Sequence, residues 1–219
     1  MKIAYFAMTF WIATLPCQAE PAEIRVRLQV YAQVTDSTLK QAKETASWVL
    51  RQAGVQLSWA ECPTRQGEPS KDPVCGMPVT SLDLQIRIST KVMAKRASKR
   101  TKCMGYALVA GEFSSIAVAY FHRAVELESH NFANRGVILG GIMAHEIGHL
   151  LEVASHSEKG VMQADWQDET LKALAKGRLW FTGEQTHRMA AAVAKRAAAV
   201  QASARLLSSE DEGCAESLP

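Results

Sequence analysis

The residues of this chain best placed to do chemistry are two histidines and a glutamate, spaced His145-Glu146-x-x-His149. On an α-helix, side chains four apart stand over one another on the same face, so His145 and His149 can each turn a ring nitrogen toward one point. A borderline-soft cation such as zinc suits two imidazoles placed this way. Glu146 projects from the adjoining face, in reach of a water on that ion yet outside its coordination positions. The apolar run 137–143 just before the motif reads as a buried helix. Desolvating His-Glu-His beside Ile142, Ile147 and Leu150 is costly unless the polar groups find partners, and a metal would supply them. The competing reading is a buried helix whose two histidines are satisfied by hydrogen bonds alone.

Two nitrogens do not complete a zinc site. His156, eleven residues after His145, is the candidate third ligand, with Glu169 or Glu184 as the alternatives. On a helix continued past His149, His156 would stand about 10.5 Å further along the axis, at about 1.5 Å per residue. Nitrogens sharing one zinc lie about 2.0–2.1 Å from it. The helix is therefore predicted to end near residues 151–153, and the chain to double back. Met162 follows six residues after His156, in Ser157-Glu158-Lys159-Gly160-Val161-Met162.

The run 145–162 resembles the metzincin clan of zinc peptidases, whose signature is His-Glu-x-x-His-x-x-Gly-x-x-His followed by a methionine-containing turn. It is most similar to small bacterial metzincin-like peptidases, whose motif reads roughly HEIGHLLLG…HS..GIM against HEIGHLLEVASHSEKGVM here. The resemblance covers the catalytic half; the N-terminal half matches in element order only. It implies that His145, His149 and His156 hold one zinc ion, that Glu146 is the general base, and that Met162 forms the floor beneath the metal. It also implies a metzincin-like α+β or α/β fold, with a mixed, mostly parallel twisted sheet, a long backing helix, an active-site helix and a C-terminal helix. Two departures stand out. Glu152 occupies the place of the clan's glycine, and the third histidine comes one residue later. The longer connection is expected to reach without the positive φ that glycine allows.

The elements that must position these residues can be read in chain order. Residues 24–34 alternate, with Ile24, Val26, Leu28 and Val30 on one side and Arg25, Arg27 and Gln29 on the other, a strand pattern. Asp36 or Ser37 can cap a helix running to Ala53, whose apolar stripe is Leu39, Ala42, Ala46, Val49 and Leu50; Gly54 ends it. Residues 55–60 form a second strand, and strand–helix–strand implies a parallel pair. Residues 82–89 form a third. Two apolar β-type runs, 105–110 and 115–121, flank Gly111-Glu112. Residues 106–110 are expected, from the clan resemblance, to be the edge strand beside the metal cleft, where an extended peptide can add as another strand. His122, Arg123 and His130 follow, near enough in sequence to line a cleft, and no role is assigned to them. Asp165-Trp166 is expected to pack the turn after Met162. Thr182 to Gln185 has capping-box spacing and opens an Ala-rich helix through about Ala204.

Residues 1–19 combine Lys2, an apolar run over 3–15 and Pro16-Cys17-Gln18-Ala19, the anatomy of a secretory signal peptide cleaved near Ala19. That predicts a bacterial periplasmic or secreted protein, with one zinc-peptidase domain over 20–207 and an acidic tail over 208–219. No later run is long and charge-free enough to span a membrane. The formal net charge of +3 falls to +2 when Lys2 leaves with the signal, too near neutral for a nucleic-acid surface. Of the five cysteines, Cys17 leaves with the signal, and Cys62, Cys75, Cys103 and Cys214 remain. An even count in an oxidising compartment favours two disulfides. Cys62 with Cys75 would close the Pro-rich loop 61–81, and Cys103 with Cys214 follows by elimination. Residues 91–102 carry six basic side chains, expected to face solvent and lacking interleaved aromatics for stacking on bases.

The reading that joins these features is a zinc peptidase acting on a peptide or protein substrate through a metal-activated water. Two others compete with it. One is an exported zinc-binding or interaction module without turnover; the other is a zinc amidase acting on cell-wall peptides, supported only by the basic stretch. Cleavage specificity and oligomeric state have no signature in the sequence.

Overall fold

The computed structural model describes residues 22–65, 67–97, 103–108, 113 and 115–215. The stretch expected to be a signal peptide, residues 98–102 of the basic run, Gly111-Glu112 and the end of the acidic tail lie outside the described residues.

Alternation of apolar and polar residues makes the strands, and the same alternation sorts the sheet into two unlike faces. Strands β1 (Glu23–Val30), β2 (Gln56–Glu61), β3 (Asp83–Ser89), β4 (Gly105–Leu108) and β5 (Ile116–Tyr120) form one sheet in the order β2-β1-β3-β5-β4. β2, β1, β3 and β5 run parallel, and β4 closes one edge antiparallel to β5. The sheet is thus mostly parallel and mixed, as expected. Ile24, Val26, Leu28, Leu84, Ile86, Ile88, Ala117 and Ala119 belong to the main core together with the helices.

The first backing helix, α1 (Asp36–Gln52), starts at Thr35, whose side chain accepts from Thr38 N. Its buried stripe is Leu39, Ala42, Ala46, Val49 and Leu50, the one expected. The helix that carries the histidine motif, α4 (Arg135–Leu150), is capped by Asn134, whose side chain accepts from Val137 N at 3.0 Å. α4 is buried nearly all round, which its sequence permits because small residues meet α1. A Cβ on Gly140 would sit 2.4 Å from the Ala42 carbonyl oxygen.

Of three short helices, α2 (Lys91–Ala97) lies in the basic stretch expected to face solvent, while α3 (Phe121–Glu128) and α5 (Asp168–Ala175) were not foreseen. The C-terminal helix, α6 (Gly183–Ala215), opens on the expected capping box, with Gln185 N donating to Thr182 Oγ1 and Thr182 N to Gln185 Oε1. It continues past Ala204 through most of the stretch expected to be a tail.

Over β1 and β3 the opposite face of the sheet is polar, whereas across β5 it carries buried Val118 and Tyr120. Arg25 and Arg27 both bond the buried Asp83 carboxylate, at 2.8 and 3.0 Å. Burial alone would raise the pKa of Asp83, but the bonds from Arg25, Thr80 and Arg27 hold it well below the usual carboxylate range. Arg27 also donates to the carbonyls of Met77 and Pro78, and Gln29 to that of Pro63. These bonds pin the loop between β2 and β3 onto that face, and the Cys62–Cys75 disulfide closes it as expected. Cys103 forms no disulfide among the described residues; the side chain of Cys214, its expected partner, lies outside them. No helix among the described residues is long and apolar enough to cross a membrane.

Candidate metal centre

α4 brings His145, Glu146 and His149 to one end of the apolar core, and the chain then turns at once. Leu151 is the C-cap of α4, inside the interval where the helix is predicted to stop. The turn does use the special backbone conformation that the longer connection was expected to avoid. Glu152, in the place of the clan's glycine, has φ +67°. One extra residue does not relieve the geometry, because the reversal occurs directly at the helix end and the extra length falls after it. Val153 N then bonds the Gly148 carbonyl, closing the reversal.

The reversal carries His156 back to the helical pair. One ring nitrogen from each of His145, His149 and His156 lies within 4.8 Å of the others. Ring centroids are 4.9 Å apart for 145–149, 5.3 Å for 145–156 and 5.1 Å for 149–156, nearly an equilateral triangle. The carboxylate alternatives are engaged elsewhere, at the surface: Glu169 pairs with Lys172 and Glu184 with Arg188.

Second contacts decide which nitrogens face inward. His145 Nδ1 lies 2.8 Å from the Val161 carbonyl oxygen, and His149 Nδ1 lies 2.7 Å from that of Val153. A carbonyl only accepts, so each Nδ1 carries the proton and each Nε2 keeps its lone pair, the arrangement found behind metal-ligating histidines. Burial pulls His145 down to about 3, against the smaller upward pull of its Val161 bond. Burial likewise lowers His149. Both rings are therefore neutral at pH 7, as a cation requires of its ligands.

Glu146 is 2% exposed. Burial pushes its carboxyl up to about 8, and its Oε2 is buried without a hydrogen-bond partner. β4 makes room for it, since a Cβ on Gly105 would fall 2.7 Å from Glu146 Oε1. An orphaned carboxylate oxygen beside a convergent triad of imidazoles is an unfavourable grouping by itself. The donor set fits a divalent cation of zinc's type, which would satisfy the rings and offset the carboxylate charge.

Met162 is fully buried, with its sulfur against Gly148 of α4, and Trp166 Nε1 donates to the Val161 carbonyl that also receives His145. Trp166 thus packs the turn as expected. A cavity of about 840 Å³ opens over the three histidines and Glu146, walled on one side by β4 from Gly105 to Leu108. β4 is the edge strand beside the cleft, as expected, although residues 109 and 110 fall outside the described ones. Tyr106 and Tyr120, ring centroids 6.1 Å apart, also line this cavity. Tyr120 carries no signal in the sequence, because a phenol closing an apolar β run reads as core. His122 stacks near Tyr120 at 5.6 Å, and His130 pairs with Asp168 at the surface. Neither joins the triad.

No family model matches the chain, and no curated protein matches it. Among solved structures, it is similar to a crystal structure of archaemetzincin from Methanopyrus kandleri. The TM-score is 0.47 at 15% sequence identity, over 80% of this chain and 98% of that one.

Proposed function

We propose that this chain is an exported zinc-dependent peptidase. The observation that carries the reading is the meeting of three imidazoles around one point with Glu146 buried beside them. His145, His149 and His156 would hold the ion, with Met162 packed beneath them. When bound there, zinc acts as a Lewis acid that polarises a carbonyl and lowers the pKa of a water toward about 7.

The chain's own residues would do the rest. Glu146 accepts a proton from the attacking water and passes it to the leaving amine. The carbonyls of Val161 and Val153 hold the His145 and His149 rings in register while this happens. The unpaired edge of β4 offers its N–H and C=O groups to an extended peptide, which would lie across the cavity as a sixth strand. Residues 20–207 would work as one domain after loss of 1–19, and the Cys62–Cys75 disulfide agrees with an oxidising compartment.

The test is metal analysis together with cleavage of a denatured protein mixture, comparing the native chain with Glu146→Gln. One zinc per chain in both, with hydrolysis in the native chain alone, is expected. Zinc in both and hydrolysis in neither, across pH and substrates, would replace the peptidase with a zinc-binding module.

A further inference from the structure

We infer that the C-terminal helix α6 is part of the metal site: Arg196 and Gln185 clasp the two ends of the segment 150–157 and so position His149 and His156. The inference deepens the zinc reading and rests on it.

The segment that carries His156 back is anchored near its start by the buried Leu151 and Val153 and at its end by the Ser157 N–H on the Met162 carbonyl, and is open between them. Glu152, Ala154, Ser155 and His156 are all exposed, and one residue stands in the left-handed region. A further hold comes from α6, from the buried face formed by Gln185, Met189, Ala192 and Arg196, spaced four, three and four as one helical stripe requires. Two of those four residues are polar. A helix docking only to fill a core would carry apolar residues at such positions, since burying a cation is costly without a compensating role.

Arg196 is 2% exposed. Its Nη2 donates to the Leu150 carbonyl at 3.0 Å, and its Nη1 to the Ser81 carbonyl at 2.7 Å. Ser81 Oγ in turn donates to the Arg196 carbonyl at 2.7 Å. Leu150 is the last residue of α4, and its carbonyl is one of those a helix end leaves without an intrahelical donor. A cation is also favoured at a helix C-terminus. The next residues form the reversal, and the Val153 carbonyl at its end accepts the Nδ1 proton of His149. Movement of the Leu150 carbonyl therefore turns the His149 ring.

Gln185 works at the other end. Its Oε1 is held by Thr182 N, which leaves Nε2 to donate to Ser157 Oγ at 3.1 Å. Ser157 directly follows His156, and its N–H bonds the Met162 carbonyl at 2.9 Å. His156, exposed and with no carbonyl behind it among the described residues such as His145 and His149 have, depends on this neighbour for its position. Arg196 and Gln185 are thus positioning residues, each acting through a histidine's support.

The experiment uses the full chain stripped of metal. It measures zinc affinity by competition with a chromophoric chelator, the visible spectrum of the Co²⁺-loaded protein, and thermal unfolding without metal. The variants are Arg196→Met, Arg196→Lys and Gln185→Leu. Arg196→Met and Gln185→Leu should each bind zinc about 10- to 100-fold more weakly, as loss of such supporting contacts does at other metal sites, with an altered Co²⁺ spectrum. Arg196→Lys should recover part of the affinity, because an ammonium can still donate to the Leu150 carbonyl. Gln185→Leu decides the matter if Arg196→Met does not fold. Folded variants that lose thermal stability but keep wild-type zinc affinity and Co²⁺ spectrum would overturn the clasp. A wild-type chain that binds neither metal would overturn the zinc reading, and the clasp with it.

Discussion

Glu146 and His145 sit side by side on α4, and burial drives their carboxyl and imidazole in opposite directions, up to about 8 and down to about 3. Linkage turns this into a pH profile for the metal-stripped protein. Native Glu146 keeps its proton up to about 8, while in the unfolded chain it loses it near the ordinary 4.5; stability then falls as pH rises between those values. Native His145 is neutral down to about 3, while the unfolded imidazole gains a proton below 6.5; that contribution rises with pH between 3 and 6.5. The two oppose each other between pH 4.5 and 6.5. The uncompensated descent lies between pH 6.5 and 8, at no more than about 1.4 kcal/mol per pH unit. Denaturant melts of chelator-stripped protein should show this descent, and Glu146→Gln should flatten it. An equally steep fall in that variant would place its origin in another group.

Glu152 supplies a second test at the same scale. A non-glycine residue in the left-handed region costs about 1–2 kcal/mol, and a β-branched one tolerates it worst. Glu152→Gly should leave stability within about 1 kcal/mol of the parent, relief of strain offsetting glycine's freedom in the unfolded chain. Glu152→Val should cost more than that. Equal melting points for the two variants would show that the left-handed turn is not imposed by the fold.

The helices and strands differ in how plainly their sequences announce them. β1 and α1 are legible because each repeats one period long enough to be seen, and α4 because its apolar run is long. The seven- and eight-residue helices α2, α3 and α5 complete only about two turns, too few for a 3.6-residue period to separate from chance. The candidate metal ligands are legible because their spacing is local: twelve residues hold all three histidines. Arg196 and Gln185 are not. An arginine in an Ala-rich helix reads as a solvent-facing charge, and Gln185 reads only as a capping residue; nothing local tells that both face inward. The contact of α1 with α4 is similarly hidden in single small residues. Gly140→Ala puts a methyl 2.4 Å from the Ala42 carbonyl oxygen, so the helices must separate. Overpacking of this kind costs about 1–3 kcal/mol, more than the roughly 1 kcal/mol alanine gains in helix propensity. Chemical denaturation should find the variant less stable; a more stable one would mean that the contact is loose.

Over the whole molecule, the sheet separates two jobs. α1, α4 and the metal cleft share the apolar face and its edge, while the disulfide loop lies on the polar face, pinned by Arg27 and Gln29. The cysteine spacing announced the Cys62–Cys75 link, but not the arginine and glutamine bonds that fasten the loop, since those side chains belong to a strand far from it in sequence. A link of thirteen residues stabilises by about 3 kcal/mol in the chain-entropy description. Reduction of the Cys62–Cys75 disulfide should therefore lower the melting temperature but leave zinc stoichiometry intact. Loss of zinc upon reduction would show that the two faces are coupled.

The clasp of α6 on segment 150–157 also separates recognition from construction. A polypeptide severed between α5 and α6 would retain every residue of the histidine signature and still lose the covalent tie to the contacts that brace segment 150–157. A single nick near Gly183, 27 residues past His156, would then be expected to weaken zinc binding without touching any candidate ligand.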